Sequence, residues 1–158
     1  MVTDLAQYRA MVAAVEDPEL PPLTIADLGI FRDIRIDGDA IEVTITPTYS
    51  GCPAMTEIAG AIRTAMAGFG TIRVRTVLTP AWTTDWITAD GHRKLRDMGI
   101  APPEPGTAPA GLFSDRNLIC PRCRSIRTER ISAFGATACK ALHRCLDCRE
   151  PFEAFKCH

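Results

Sequence analysis

The sequence predicts an α/β protein built from a small mixed sheet of three or four strands with helices packed on it, followed by a smaller β-rich part. Residues 3–98 alternate between amphipathic helical patterns and short runs in which every second residue is apolar. Two Cys-x-x-Cys pairs then follow at 120–123 and 145–148. Four such thiols match the ligands of a tetrahedral zinc ion, so the second part is predicted to be a small zinc-ribbon domain.

Composition restricts the class of protein. The chain has 158 residues, of which 46% are hydrophobic and 23% charged, as in ordinary globular proteins. A net charge of −1 favours neither nucleic acid nor a membrane surface as a partner. The first twenty residues lack the apolar run of a secretory signal, and no run is long enough to cross a bilayer. We therefore expect a cytoplasmic protein whose seven cysteines act as ligands or reactive groups rather than disulfides.

Charge and cysteine content both change sharply along the chain. Residues 1–111 carry a charge of −5 and a single cysteine, whereas 112–158 carry +4 and the other six. Between these parts, APPEPGTAPAG at 101–111 contains four prolines and two glycines, a composition typical of a semi-rigid linker. The predicted organisation is an α/β domain over 1–100, a linker over 101–115 and a zinc ribbon over 116–158.

The first domain begins with a helix and a hairpin. Thr3 can cap an amphipathic helix that ends at the prolines of DPELPPL. The runs at 30–36 and 40–47 alternate apolar and polar residues around Asp37-Gly38, which is a strong hairpin signal.

A crossover unit follows the hairpin. Pro53 suits the first position of a helix, and apolar residues continue at helical spacing as far as Phe69. Residues 71–78 form a third strand, which a right-handed helical crossover would place parallel to the second. A last helix is predicted near 88–98.

Cys52 stands alone at the predicted start of the second helix. If Pro53 is the first helical residue, Cys52 is the N-cap, and the positive end of the helix dipole lowers the thiol pKa. The thiol would then attack electrophiles or bind metal, with Asp17 and Glu19 as an acidic pair at the same rim. The alternative interpretations are a small packing side chain for Cys52 and an acidic turn around Pro18.

The ribbon cysteines give the stronger signal. Cys120, Cys123, Cys145 and Cys148 form two knuckles separated by 21 residues, and a segment this short needs a metal to stabilise it. Zinc is favoured, with iron as the alternative ion for four thiolates. Cys139 and Cys157 are left as an additional thiol or metal pair, or as packing residues.

The ribbon is also basic. This charge suits nucleic acid, an acidic protein partner or a solvated surface, and the −5 charge of the first domain argues against nucleic acid. The basic residues are Arg116, Arg122, Arg124, Arg127, Arg130, Lys140, Arg144, Arg149 and Lys156.

Several long motifs resemble a known family. The segments DPELPPLTIADLG, TPTYSGCPAM, LTPAWTTDWI, FGATACKALHRC and PFEAFKCH closely resemble PaaD proteins, accessory subunits of the phenylacetyl-CoA epoxidase system. The first domain also resembles the wider iron–sulfur assembly family that includes SufT. In that family a DPE motif and a helix-start cysteine recur, here Asp17, Pro18, Glu19 and Cys52.

The resemblance implies a non-enzymatic role in aerobic phenylacetate degradation. PaaD-like proteins would assist insertion of an iron–sulfur cluster or iron into the reductase or oxygenase subunit, with Cys52, Asp17 and Glu19 at the transfer site and a structural zinc in the ribbon. The expected partners are the oxygenase and reductase subunits, and a homodimer is a further candidate assembly. The alternative function is a non-catalytic structural subunit of the complex. No dinucleotide fingerprint, flavin motif or di-iron Glu-x-x-His pair occurs in the chain.

Overall fold

The computed structural model describes residues 5–103 and 118–156. These residues form two compact units. The first takes in 5–82 with 86–88, and the second takes in 83–85, 89–103 and 118–156. The described elements, in chain order, are α1 (Leu5–Ala13), β1 (Phe31–Asp37), β2 (Ala40–Ile45), α2 (Ala54–Ala65), β3 (Thr71–Thr76), a 3-10 turn (Thr84–Trp86), α3 (Ala89–Asp97), β4 (Ile100–Ala101), β5 (Thr128–Ser132), β6 (Lys140–Cys145) and β7 (Pro151–Phe155).

The first unit contains the predicted mixed sheet. Strands β1 and β2 pair antiparallel across the Asp37-Gly38 turn, and β2 pairs parallel with β3, so β2 is the central strand. Val43 of β2 is fully buried and lies opposite Val74 of β3. The hairpin, the crossover and the sheet of three strands are therefore confirmed.

Helix α2 makes the crossover between the two parallel strands. Ala54, Ile58 and Ile62 are its buried residues, and their i, i+4, i+8 spacing puts them on one side of the helix. Burying each of the two isoleucine side chains contributes roughly 1.5–3 kcal/mol. The chain enters α2 from the end of β2, so the loop at 46–53 is fixed at both ends.

The segment between α1 and β1 is an ordered loop. Helix α1 ends at Ala13, before the prolines, as predicted. The amide of Asp17 donates to the Leu23 carbonyl at 2.8 Å, and the amide of Ile25 donates to the Val15 carbonyl at 2.8 Å. These cross-loop bonds place the predicted acidic pair in a defined position rather than on a mobile turn.

The second unit is organised around a four-stranded sheet in the order β4-β7-β6-β5. Strand β6 pairs antiparallel with both β5 and β7, which agrees with the β-rich part predicted after the α/β domain. The helix predicted near 88–98 is α3, and it belongs to this unit together with β4. The core of the sheet is small: Ala101, Cys120, Cys145, Phe152 and Ala154.

This architecture does not decide two expectations, the linker at 101–115 and the cytoplasmic location. Residues 104–117 lie outside the described residues, so the division at 101–115 stays a prediction. Among the described residues, no helix combines the length and apolar character needed to cross a bilayer.

Gly29 should be indispensable for the packing of the first unit. It has a φ of +70°, and a Cβ there would lie 2.5 Å from Cβ of Trp86. Gly38 also has a positive φ of +64°, but a Cβ there would meet nothing within 4 Å. Left-handed backbone costs both alanine variants about 1–2 kcal/mol, and overpacking costs Gly29→Ala a further 1–3 kcal/mol or so.

Urea unfolding of Gly29→Ala beside Gly38→Ala separates the two effects. We expect Gly29→Ala to lower the free energy of unfolding more than Gly38→Ala does. Equal losses would show that the close approach to Trp86 contributes nothing.

Candidate functional site

Cys52 lies in the loop between β2 and α2, one residue before the helix cap. The N-cap is Pro53, with helical angles of φ −68° and ψ −23°, so the prediction that Cys52 itself is the N-cap is wrong by one residue. The amide of Cys52 donates to the Tyr49 carbonyl at 3.2 Å, which closes a turn. The Ala54 amide still donates to the sulfur, because the first helical amides point out of the helix end.

Cys52 as a residue is half-buried. The preceding Gly51 is exposed, and a Cβ built on it would meet nothing within 4 Å. The surface at Gly51, next to Cys52 in the chain, is therefore open to solvent.

The two predicted carboxylates lie close enough to this thiol for their charges to act on it. Asp17 is buried, and its Oδ1 accepts hydrogen bonds from the amides of Glu19 at 2.8 Å and Leu20 at 3.1 Å. Burial raises the pKa of Asp17, with a further contribution from Glu57, and these two amides oppose the rise only in part. The structure thus brings Asp17 and Glu19 into electrostatic reach of Cys52, which is more than thirty residues away in sequence.

The electrostatic environment of Cys52 differs from the expectation. Burial raises the pKa of the Cys52 thiol, and the charges of Glu19 and Asp17 raise it further. Hydrogen bonds from the Ala54 amide and the Tyr49 side chain lower it, but by less. The predicted lowering of the pKa is wrong because the helix start acts against a larger desolvation and two like charges.

Glu57 was missed in the sequence analysis. It is exposed in the first turn of α2, and its charge reaches Asp17. The available signal was its spacing of five residues from Cys52 along a helix that begins beside that cysteine. With Glu57 the site holds one thiol and three carboxyl groups.

The four ribbon cysteines form a second, separate cluster. Their sulfurs all lie within 4.8 Å of one another. Cys120 and Cys148 are 3.8 Å apart, and Cys123 and Cys145 are 3.5 Å apart, sulfur to sulfur. Zinc–thiolate bonds of about 2.3 Å in a tetrahedron give sulfur separations of about 3.8 Å, so the donor set and its spacing fit such an ion.

The surroundings of these sulfurs shift their thiol pKa values in different directions. The Cys148 amide donates to the Cys145 sulfur, and with the Asp147 amide it lowers the pKa of Cys145 to about 7. The Glu150 amide lowers the pKa of Cys148, but burial and the neighbouring thiols together raise it to about 12. Four thiolates at this spacing repel one another strongly, so complete ionisation requires a bound cation.

The cluster is covered on the side of the ribbon core and reaches the surface at Cys123. Cys120 and Cys145 are buried in the ribbon core, Cys148 is half-buried and Cys123 is exposed. Four protein ligands leave no open coordination position, which is typical of structural zinc rather than catalytic zinc.

The additional thiols do not join this cluster within the described chain. Cys139 is buried, and its sulfur lies 3.0 Å from the Thr137 hydroxyl oxygen. Cys157 lies outside the described residues, so a pairing between Cys139 and Cys157 stays a prediction.

Comparison with known proteins agrees with both parts of the chain. A family profile described as "PaaD zinc beta ribbon domain" matches residues 104–156, and one described as "Iron-sulfur cluster assembly protein" matches residues 6–79. A protein of Escherichia coli (strain K12) is 50% identical over 150 residues, covering 94% of this chain and 90% of that protein. The chain belongs to the PaaD family. The Escherichia coli relative is named as one of the subunits of a "Putative 1,2-phenylacetyl-CoA epoxidase".

Solved structures resemble the first part of this PaaD-family chain. The crystal structure of a domain of unknown function, DUF59, from Bacillus anthracis has 26% identity and a TM-score of 0.52, covering 57% of this chain and 89% of its own. The solution structure of Rv1466 from Mycobacterium tuberculosis, titled as a protein associated with Fe–S complex assembly and repair, has 32% identity and a TM-score of 0.34, covering 61% and 86%. The DUF59 domain supports the predicted α/β fold.

Replacing one of the carboxylates with a neutral side chain should make the Cys52 thiol easier to ionise. In Glu19→Gln, removal of a negative charge beside the sulfur stabilises the thiolate, so we expect the pKa of Cys52 to fall and its alkylation below that pKa to become faster. Iodoacetamide labelling across a pH series, read by mass spectrometry of the peptide that contains Cys52, measures both. Glu16→Gln is the matched control, because Glu16 is an exposed carboxylate of the same segment with no such effect on Cys52. Identical profiles for the two variants would contradict the assigned electrostatics.

Proposed function

We propose that this PaaD-family chain is an accessory maturation protein for the phenylacetyl-CoA ring epoxidase of aerobic phenylacetate degradation. In this proposal it assists insertion of an iron–sulfur cluster or iron into the reductase or oxygenase subunit and turns over no substrate itself. The family membership and the match to the assembly profile support this role. The single observation that carries it is the half-exposed Cys52 beside Asp17 and Glu19.

The raised pKa of Cys52 suits transfer rather than storage. A thiol with a raised pKa is protonated near neutrality, so an incoming iron ion or cluster must displace a proton before sulfur binds. Reprotonation then favours release. The neighbouring carboxylates offer oxygen ligands to the same cargo, and their negative charge attracts a cation.

The ribbon has a different role in this proposal. Its four sulfurs hold a structural zinc ion, and the alternative, iron in the same four-thiolate site, is distinguished by metal analysis of the purified protein. Residues 112–158 carry a net charge of +4, which suits docking on an acidic face of the reductase or oxygenase subunit. A homodimer stays a prediction.

Replacing Cys52 tests the transfer role in cells. In Cys52→Ala we expect unchanged zinc content and folding, because the ribbon does not use this thiol, but a reductase with an under-filled iron–sulfur cluster or an oxygenase with too little iron. Thr56→Ala changes an exposed residue in the first turn of α2, close to Cys52 in sequence, and is the matched control, with normal filling expected. Metal and acid-labile sulfide analysis of the epoxidase purified from each strain gives the readout. Full occupancy in the Cys52→Ala strain would refute the transfer role.

A second candidate is a structural subunit, which the name of the Escherichia coli relative favours. A structural subunit stays with the active epoxidase in fixed stoichiometry, whereas a maturation protein leaves it. Copurification ratios of the active complex separate the two functions.

A further inference from the structure

The two cysteine knuckles of the ribbon have the same internal layout. The first knuckle is 120–125 and the second is 145–150, six residues each. In both, the amide of the first residue donates to the carbonyl of the sixth, at 2.9 Å from Cys120 to Ser125 and 3.0 Å from Cys145 to Glu150. The fifth residue of each is an arginine with a φ of 65° or 66°, and these are the two non-glycine residues with positive φ in the described chain.

The contacts between the knuckles repeat this symmetry. The first cysteine of each knuckle approaches the second cysteine of the other, with sulfurs 3.8 Å and 3.5 Å apart. An approximate twofold axis through the metal position therefore relates the two knuckles.

Polar side chains follow the same rule. The third residue of each knuckle contacts the sixth residue of the other: Arg122 pairs with Glu150 at 3.2 Å, and the Ser125 hydroxyl donates to Asp147. We propose that these two contacts are clasps that position the four cysteines, and that the Asp147 clasp controls how long the ribbon retains its ion. The inference does not depend on Cys52 or on the proposed maturation role.

The two clasps are unequal. Asp147 also accepts a hydrogen bond from Nη1 of Arg127 at 2.6 Å, and the Arg127 amide donates to the Ser125 hydroxyl oxygen at 3.0 Å. Two side-chain contacts and the Arg127 amide thus close a network of three residues, which ties the end of the first knuckle to the turn of the second. By contrast, Arg122 and Glu150 share one contact. The side chains of both ion pairs are about equally exposed, at 68% and 48% for Arg122 and Glu150 and 68% and 40% for Arg127 and Asp147. The two clasps therefore differ in the number of linked contacts, since a single exposed pair contributes little.

Asp147 acts on the ligands through its own backbone as well. Its amide donates to the Cys145 sulfur, so fixing its carboxylate also fixes the direction of that amide. Groups that orient metal ligands in this way typically change metal affinity by about 10- to 100-fold when removed. Metal loss requires the knuckles to separate, and the Asp147 network resists that separation directly.

Zinc release from a matched series of variants tests the proposal. Asp147→Ala, Glu150→Ala and Glu129→Ala each remove one carboxylate from an ion pair of the ribbon, and Glu129 pairs with Arg144 between strands rather than between knuckles. We expect roughly tenfold faster zinc release into excess chelator for Asp147→Ala, a smaller increase for Glu150→Ala and the wild-type rate for Glu129→Ala. Wild-type release from Asp147→Ala, or equal acceleration in all three, would overturn the proposal.

A cobalt spectrum distinguishes positioning from general stability. Tetrahedral thiolate-bound Co²⁺ absorbs in the visible range, so altered bands in Asp147→Ala but not in Glu129→Ala would report moved ligands. If Asp147→Ala does not fold, Ser125→Ala removes only the hydroxyl of the same network and should also release zinc faster. The Ser125→Ala, Asp147→Ala pair should be less than additive, because both changes break one network. Strict additivity or unaltered bands would count against a shared clasp.

Discussion

The ribbon depends on a constraint of charge: four sulfurs within 4.8 Å of one another cannot all ionise without a cation between them. The apolar cluster at its cysteines holds one large side chain, Phe152, beside two alanines and two cysteines, which is little surface for a sheet of four strands. Cys120 and Cys145 belong both to that core and to the ligand set. Folding and metal binding are therefore parts of one equilibrium in this unit.

The same residue type behaves differently in the first unit. Cys52 has amide donors, as the ribbon cysteines have, but its neighbours are carboxylates rather than thiols awaiting a metal ion. Burial and negative charge raise the pKa of Cys52, whereas backbone amides lower that of Cys145. The two kinds of cysteine site thus lie in separate units of the chain and differ in their electrostatic surroundings.

The sequence was sufficient for what local patterns determine. Alternation, the Asp37-Gly38 turn and the knuckle spacing predicted the hairpin, the crossover and the four-cysteine cluster, and all are present. The pKa of Cys52 was predicted with the wrong sign because its sign depends on burial and on charges from the α1–β1 loop, which sequence spacing does not report. Glu57 and the contacts between the knuckles were missed for the same reason: they arise only when distant segments meet.

The central position of β2 has a mechanical consequence. Six residue pairs hold β2 to β1 and six hold it to β3, and the loop with Cys52 leaves directly from its end. On its other side the loop enters α2, whose apolar face is buried. The loop is thus held at both ends by elements that are packed into the core. A cargo held there would leave by exchange of one ligand for another at a fixed point in space, and the receiving protein would have to bring its own ligands to that point.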